Sequence, residues 1–348
     1  MRRLTDRLTT VFSRDRGLRS EGGTVIAFVA IAMVVLLGAV AMSVDVGLIY
    51  SERRELQNGA DAAALAVAYD CAAGDCGSSI EQQNRAEEYA DANASDGLAW
   101  ADDVTIDLGA QTVRVHTSTE DPGGDHFFDT TFAQIVGFDG LTVGAEATVA
   151  WGALRSRSTL PIIISDCEWD NILAADNLHP RTIVDPGPLP TEDGLTTLLF
   201  HGSEEPCAPS PSGFDDSGGF GWLDENAGPC EALMVQGGEV DGRTGAEASK
   251  DCKAILDALV ETVQVIPYYN DLREPGGNRV YTVAGFGAFY ITGYRFPGIN
   301  HKSVITGEMP CTGSDNCIEA FAIGDWVVDD GTIGGTGDFG VVTVAFVK

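Results

Sequence analysis

A chain of 348 residues with 52 acidic and 21 basic side chains carries a formal net charge of −31. That balance excludes a nucleic-acid partner, whose phosphates call for clustered Lys and Arg. An apolar share of 44% is ample for a core, and the length accommodates two soluble domains beyond an anchor.

The first 21 residues are basic: Arg2, Arg3, Arg7, Arg14, Arg16 and Arg19 stand against Asp6, Asp15 and Glu21. Residues 25–44, VIAFVAIAMVVLLGAVAMSV, then run without a charge. At about 1.5 Å per residue such a helix is about 30 Å long, the thickness of a bilayer's hydrocarbon core. The apolar core of a signal peptide is shorter, about 7–15 residues, so a retained single-pass anchor in the lipid bilayer is expected. The basic flank puts the N-terminus in the cytoplasm and the acidic bulk outside the cell membrane. The acidity itself reads as a highly solvated surface.

Residues 45–69 continue the helix. Ile49, Leu56, Ala60, Ala63, Ala64 and Val67 recur on one face. Two readings stay open: an alanine face approached closely by another helix, or an exposed stalk of good helix formers. Asp45 falls where the helix meets water, and a carboxylate there fixes the depth of insertion. Asp61, in the Ala-rich part, either solvates the helix or contacts a partner.

Gly23 before the apolar run, Val44-Asp45-Val46-Gly47 at its outer end, and Leu56-Gln57-Asn58 followed by ADAAALA at residues 60–66 form a pattern. It resembles the N-terminal Tad-type segment of TadE/TadG-like proteins, which belong to tight-adherence (Flp) pilus systems. The resemblance spans about 47 residues. It implies a membrane-anchored, non-enzymatic minor pilin or assembly factor. Its N-terminal helix would pack beside other pilins or pilus assembly platform proteins. Gly23, Gly38, Asp45, Gly47, Gln57, Asp61 and Ala64 are the expected membrane and pilus packing positions. The competing reading is a membrane-tethered extracellular module for binding or adhesion, outside any pilus. Prepilins carry a glutamate inside the apolar run. Here Glu21 precedes it, so the anchor is expected to stay uncut.

Beyond the segment 22–70, residues 78–155 read as a small α/β module. Residues 80–93 are a polar helix. Val104, Ile106 and Leu108, then Val113 and Val115, alternate as a hairpin. Phe128, Phe132, Ile135 and Val136 have helical spacing, with Gly137 as a stop. Residues 141–151 alternate as a half-buried strand. The order α-β-β-α-β predicts a small antiparallel sheet with helices on one face. Members of the resembling family have a similar stretch after the anchor.

Residues 155–159 read as a linker into a loop- and β-rich extracytoplasmic domain, 156–348, so the fold class is α+β. Residues 160–164 form a strand, and 166–228 are loop-dominated by Pro, Gly, Asp and Ser. A helix is expected over 246–260. Strands are expected over 262–268, 280–294, 318–328 and 339–347, with turns at 274–278 and 329–337. SGGFGWLDENAGPC and YTVAGFGAFYITGYRF resemble the C-terminal part of some pilus-assembly proteins.

Cys71, Cys76, Cys167, Cys207, Cys230, Cys252, Cys311 and Cys317 all follow the anchor. An even set in an oxidising compartment implies up to four disulfides. Short spacings favour Cys71–Cys76 and Cys311–Cys317. The remaining four are expected as Cys207–Cys230 and Cys167–Cys252. There is no CxxC, and His116, His126, His179, His201 and His301 form no ligand spacing with the cysteines, so no metal or cofactor is expected.

Catalytic motifs are equally lacking: no nucleophile elbow, HExxH or P-loop occurs. Gly285-Phe286-Gly287 lies inside a strand and reads as room for close packing rather than a dinucleotide loop. Some TadG-like proteins carry a metal-dependent adhesion domain with a DxSxS motif. Asp215-Asp216-Ser217-Gly218-Gly219 and Ser165-Asp166-Cys167 both depart from it, so that domain is expected to be missing. Asp329 and Asp330 with Asp338 lack EF-hand spacing and read as an acidic turn. His126, between Asp125 and Asp129, reads as a surface residue. Asn93-Ala94-Ser95 is a glycosylation sequon.

Overall fold

The structure is a computed structural model that describes residues 22–180, 191–200, 220–245, 247–273, 279–336 and 340–347. The basic residues 1–21, Cys207, the 215–219 motif, the 274–278 turn and Asp338 lie outside the described residues.

A single helix, α1 (Gly22–Ala72), carries both the apolar run and the alanine-rich stretch. At about 1.5 Å per residue it is about 75 Å long. Its two halves have opposite surroundings. Large side chains from Val25 to Val44 are exposed, whereas Leu56, Ala60, Ala63, Ala64, Val67 and Ala68 are buried. The alanine face is therefore covered, and it is covered by this chain's own fold.

The cover is α2 (Ser79–Asn93) and an antiparallel sheet. Helix α2 starts at a capping box: Ser78 and Glu81 each bond the other's backbone amide. Small residues bring the two helices together. A Cβ on Gly59 would lie 3.3 Å from the Ala90 backbone, and Ala86 and Ala90 are fully buried. Strands β1 (Ala99–Asp107) and β2 (Thr112–Thr119) form the expected hairpin. Val113 and Val115 of β2 pack on the alanines of α1, and the Thr117 hydroxyl donates to the Leu56 carbonyl at 2.9 Å.

Residues 128–136 depart from the helix expected there. They form β3 (Phe128–Asp129) and a four-residue 3-10 turn, Ala133–Val136, ending at Gly137 with φ 84°. Strand β4 (Gly140–Leu141) pairs with β3. Ile135 is 83% exposed, so it does not face the core, whereas Phe128 packs against the cluster around Leu56 and Val143.

Strand β5 (Gly144–Thr159) runs through residues 155–159, where composition alone indicates a linker. The polar Arg-Ser-Arg-Ser-Thr stretch stays extended because other strands take its backbone bonds. They are β10 (Ala232–Val235) and β17 (Thr332–Ile333). The other half of β5 pairs with β2 and with β18 (Val341–Phe346). A sequence boundary at 155/156 thus falls within one continuous strand. Next to β18 lies β16 (Trp326–Val328), parallel to it.

The second sheet orders its main path β7–β15–β13–β12–β6–β9. These are β6 (Ile162–Ser165), β7 (Leu178–Pro180), β9 (Phe220–Trp222), β12 (Val263–Arg273), β13 (Val280–Phe296) and β15 (Cys317–Gly324). Strand β8 (Leu195–Leu199) joins β15; β11 (Glu239–Asp241) and β14 (Ile299–His301) join β13. Almost every residue of β13 is buried, as for a strand covered on both faces. One face packs on the far half of the first sheet through Leu154, Met234, Phe286 and Phe321. The other packs under α3 (Asp166–Ala174) and α4 (Lys250–Leu259) through Trp169, Ile172 and Leu256. Helix α3 sits in a stretch whose composition indicates loop. Ser165 caps it, and Trp169 and Ile172 anchor it. Gly287 does provide close packing: a Cβ there would lie 2.6 Å from Trp169 Cζ3.

The fold is α+β, as expected. Disulfides link Cys71–Cys76 and Cys311–Cys317, as the short spacings indicate. The third, Cys230–Cys252, overturns the expected Cys207–Cys230 and Cys167–Cys252 pairs. It ties the start of β10 to the first turn of α4. Spacing along the chain cannot reveal such a proximity. Cys167 is disulfide-bonded too.

Candidate functional site: the apolar helix and the loop bound to Asp45

Asp45 is the one buried residue between positions 25 and 50 of α1, at 4% exposure. It is not a solvated marker of the water boundary. Its Oδ1 accepts the amides of Thr131 (2.9 Å) and Phe132 (3.1 Å). Its Oδ2 accepts those of Phe132 (3.1 Å) and Ala133 (2.6 Å). These amides open the 3-10 turn, whose own N-cap residue, Phe132, supplies no side-chain acceptor. A carboxylate from a different element thus performs the capping.

The bound loop lies along the helix. Gly38, Ala41, Met42, Val46 and Ile49 of α1 face Thr130, Phe132, Ala133, Ile135 and Phe138 across an almost wholly apolar hollow of about 500 Å³. Inside the loop, Thr130 N donates to Asp139 O (3.0 Å), Ile135 N to Phe132 O (3.1 Å) and Phe138 N to Ala133 O (3.1 Å). The Thr130 hydroxyl donates to Phe138 O at 2.8 Å.

The other expected packing positions fall in different settings. Gly23 lies in the first turn of α1. Gly38 and Gly47 have nothing within 4 Å of where a Cβ would stand. Gln57 donates to Asp61 Oδ1 (2.9 Å) and to the Glu146 carbonyl (3.1 Å), which occupies both residues within the chain. Ala64 is fully buried under its own sheet. Phe132, Ile135 and Phe138 belong beside Asp45. Their signal in the sequence is three large apolar residues around Gly137 in a stretch, 130–138, with no charge.

Two turns above Asp45, Glu52, Glu55 and Asp96 form an acidic group. Glu55 accepts the Ser95 amide at 2.8 Å and also its hydroxyl, and these bonds hold its carboxyl below the usual range. Glu52 is half-buried. Burial first, then the charges of Asp96 and Glu55, push its pKa up to about 7.

Residues 23–70 match the family model Tad, described as "Putative Flp pilus-assembly TadE/G-like". The N-terminal segment is thus of Tad type, and its apolar part, long enough to cross a membrane and uncovered by the fold, is that of a membrane-anchored, pilus-associated protein. No curated protein and no solved structure matches the chain.

Elsewhere, a polar hollow of about 590 Å³ is lined by Arg155, Gln236, Asn270 and Thr282 among others. Gln236 serves there as a stitch, donating to the Ala284 carbonyl (2.7 Å) and accepting the Thr336 amide (2.6 Å). Asp330 pairs with Arg157 at 3.0 Å, and His126 is exposed beside Trp100. Among the described residues no group of three or more His, Cys, Asp or Glu could hold a metal.

Proposed function

We propose that this protein is a non-enzymatic minor pilin or assembly factor of a tight-adherence (Flp) pilus, N-terminus in the cytoplasm and body on the outer side. The observation that carries the reading is the match over residues 23–70 together with the uncovered state of residues 25–44. A helix that buries its small-residue face on its own sheet has only its membrane half left for partners. Other pilins or platform proteins would therefore meet it inside the bilayer, through van der Waals packing along the exposed side chains of residues 25–37. The arginines of residues 1–21 favour the cytoplasmic N-terminus. Cysteines confined to the region beyond the anchor fit an oxidising outer compartment.

Gene deletion tests the proposal. Loss of pili and of surface adherence, restored by a plasmid copy, is the expected result. A deletion strain with normal pili would overturn it.

A further inference from the structure

We propose that residues 130–138 are a second membrane contact: an apolar loop, pinned to the anchor by Asp45, that inserts among the acyl chains of the outer leaflet. The inference rests on the anchor reading and is independent of the pilus.

Length is the first argument. The uncharged run, residues 25–44, is about 30 Å long and just matches the hydrocarbon core. The loop does not stop at the outer end of that run. Phe132, Ile135 and Phe138 share a hollow with Gly38, Ala41 and Met42. Gly38 lies seven residues before Asp45, about 10 Å lower along the helix. Were the loop in water, the span would have to end near Leu37. Residues 22–37 then cover only about 24 Å, too short for the core. The loop and the outer third of the span occupy the same depth.

The large apolar side chains and seven of the backbone amides of residues 130–138 agree with that depth, Thr131 and Gln134 being the exposed polar side chains of the loop. Ile135 is 83% and Phe138 49% exposed, and the first charges on either side, Asp129 and Asp139, are themselves exposed and flank the apolar tip. Backbone amides cannot be left open in lipid. Those of Thr131, Phe132 and Ala133 end on Asp45, and those of Thr130, Ile135, Gly137 and Phe138 end on carbonyls within the loop. A loop made for water would have no need to bury a carboxylate for this. Lipid is favoured over a partner helix because the patch is continuous with the exposed surface of the anchor on a 3-10 turn of only four residues.

Site-specific photocrosslinking tests this in the full chain in its native membrane. A benzophenone amino acid replaces Ile135, Val34 in the anchor, or Ile80, which is exposed at the start of α2 near the far end of α1. All three side chains are exposed, so folding is preserved, and oxidised Cys230–Cys252 verifies it. Lipid adducts at Val34 and Ile135 with none at Ile80 are expected. Lipid at Val34 with none at Ile135, or a protein adduct at Ile135, overturns this inference and leaves the anchor standing. No lipid at Val34 overturns both.

Discussion

Asp45 and Ala133 stand 88 residues apart in the chain, yet the Asp45 carboxylate accepts the Ala133 amide at 2.6 Å. Through that bond and its neighbours, the outer end of the apolar helix and the loop 130–138 become one unit.

Asp45→Ala should therefore free the loop. Three part-buried amides lose their acceptor, each at a cost of up to about 1–3 kcal/mol, the penalty for a fully buried group. Hydrogen exchange of residues 130–138 in lipid nanodiscs would rise by one to several orders of magnitude, while residues 56–68 of α1 stay protected. Unchanged protection of the loop would show that Asp45 does not hold it.

Glu52 makes stability depend on pH in a defined window. Its folded pKa, about 7, exceeds the ordinary 4.5, so the folded protein keeps a proton that the unfolded chain has lost. The contribution is complete below about pH 4.5 and declines as pH rises to about 7. Glu52→Gln should flatten this slope and raise the unfolding temperature at neutral pH. Thermal unfolding on both sides of the window measures it; equal slopes in both proteins would refute the assignment.

Gly287→Ala should destabilise the second sheet by about 1–3 kcal/mol, the usual range for an added group in a packed core. The obstacle is the Trp169 ring, 2.6 Å from the new Cβ. Trp169→Phe in the same chain should recover part of the loss. Denaturant unfolding of both variants decides, and additive effects would exclude a direct clash.

Reduction of Cys230–Cys252, or its replacement by serines, should lower stability by about 2–4 kcal/mol. Peptide mapping without reductant should yield one fragment joining the strand β10 region to helix α4. A fragment joining Cys230 to Cys207 would contradict the pairing.

The anchor was legible because 20 uncharged residues have few other uses. The alanine face was legible as a buried face, but its partner was not. Periodicity says that Ala60, Ala63 and Ala64 are covered, and it is silent on whether by a second molecule or by Val113 and Val115. The loop at Asp45 was misread for a physical reason. Phe128, Phe132 and Ile135 have helical spacing, but Phe128 is taken into a strand pair with Leu141 and the amides of Thr131, Phe132 and Ala133 are claimed by a side chain far upstream, so only a short 3-10 turn forms. Residues 155–159 read as a linker because they are polar, and their extension depends on partner strands contributed from beyond residue 230. Cys230–Cys252 depends on the same long-range assembly.

Strand β18 lies between β5 and β16, within the sheet that covers α1. The layer that covers the alanines of α1 is consequently closed by residues 341–346, far downstream of β1, β2 and β5. Until residues 341–346 arrive, β5 offers an unpaired edge and Val344 is missing from the cluster that covers the alanines of α1. The cover of α1 must therefore wait for a strand far downstream of β5, so the emerging protein passes through a stage in which the alanine face is only partly closed.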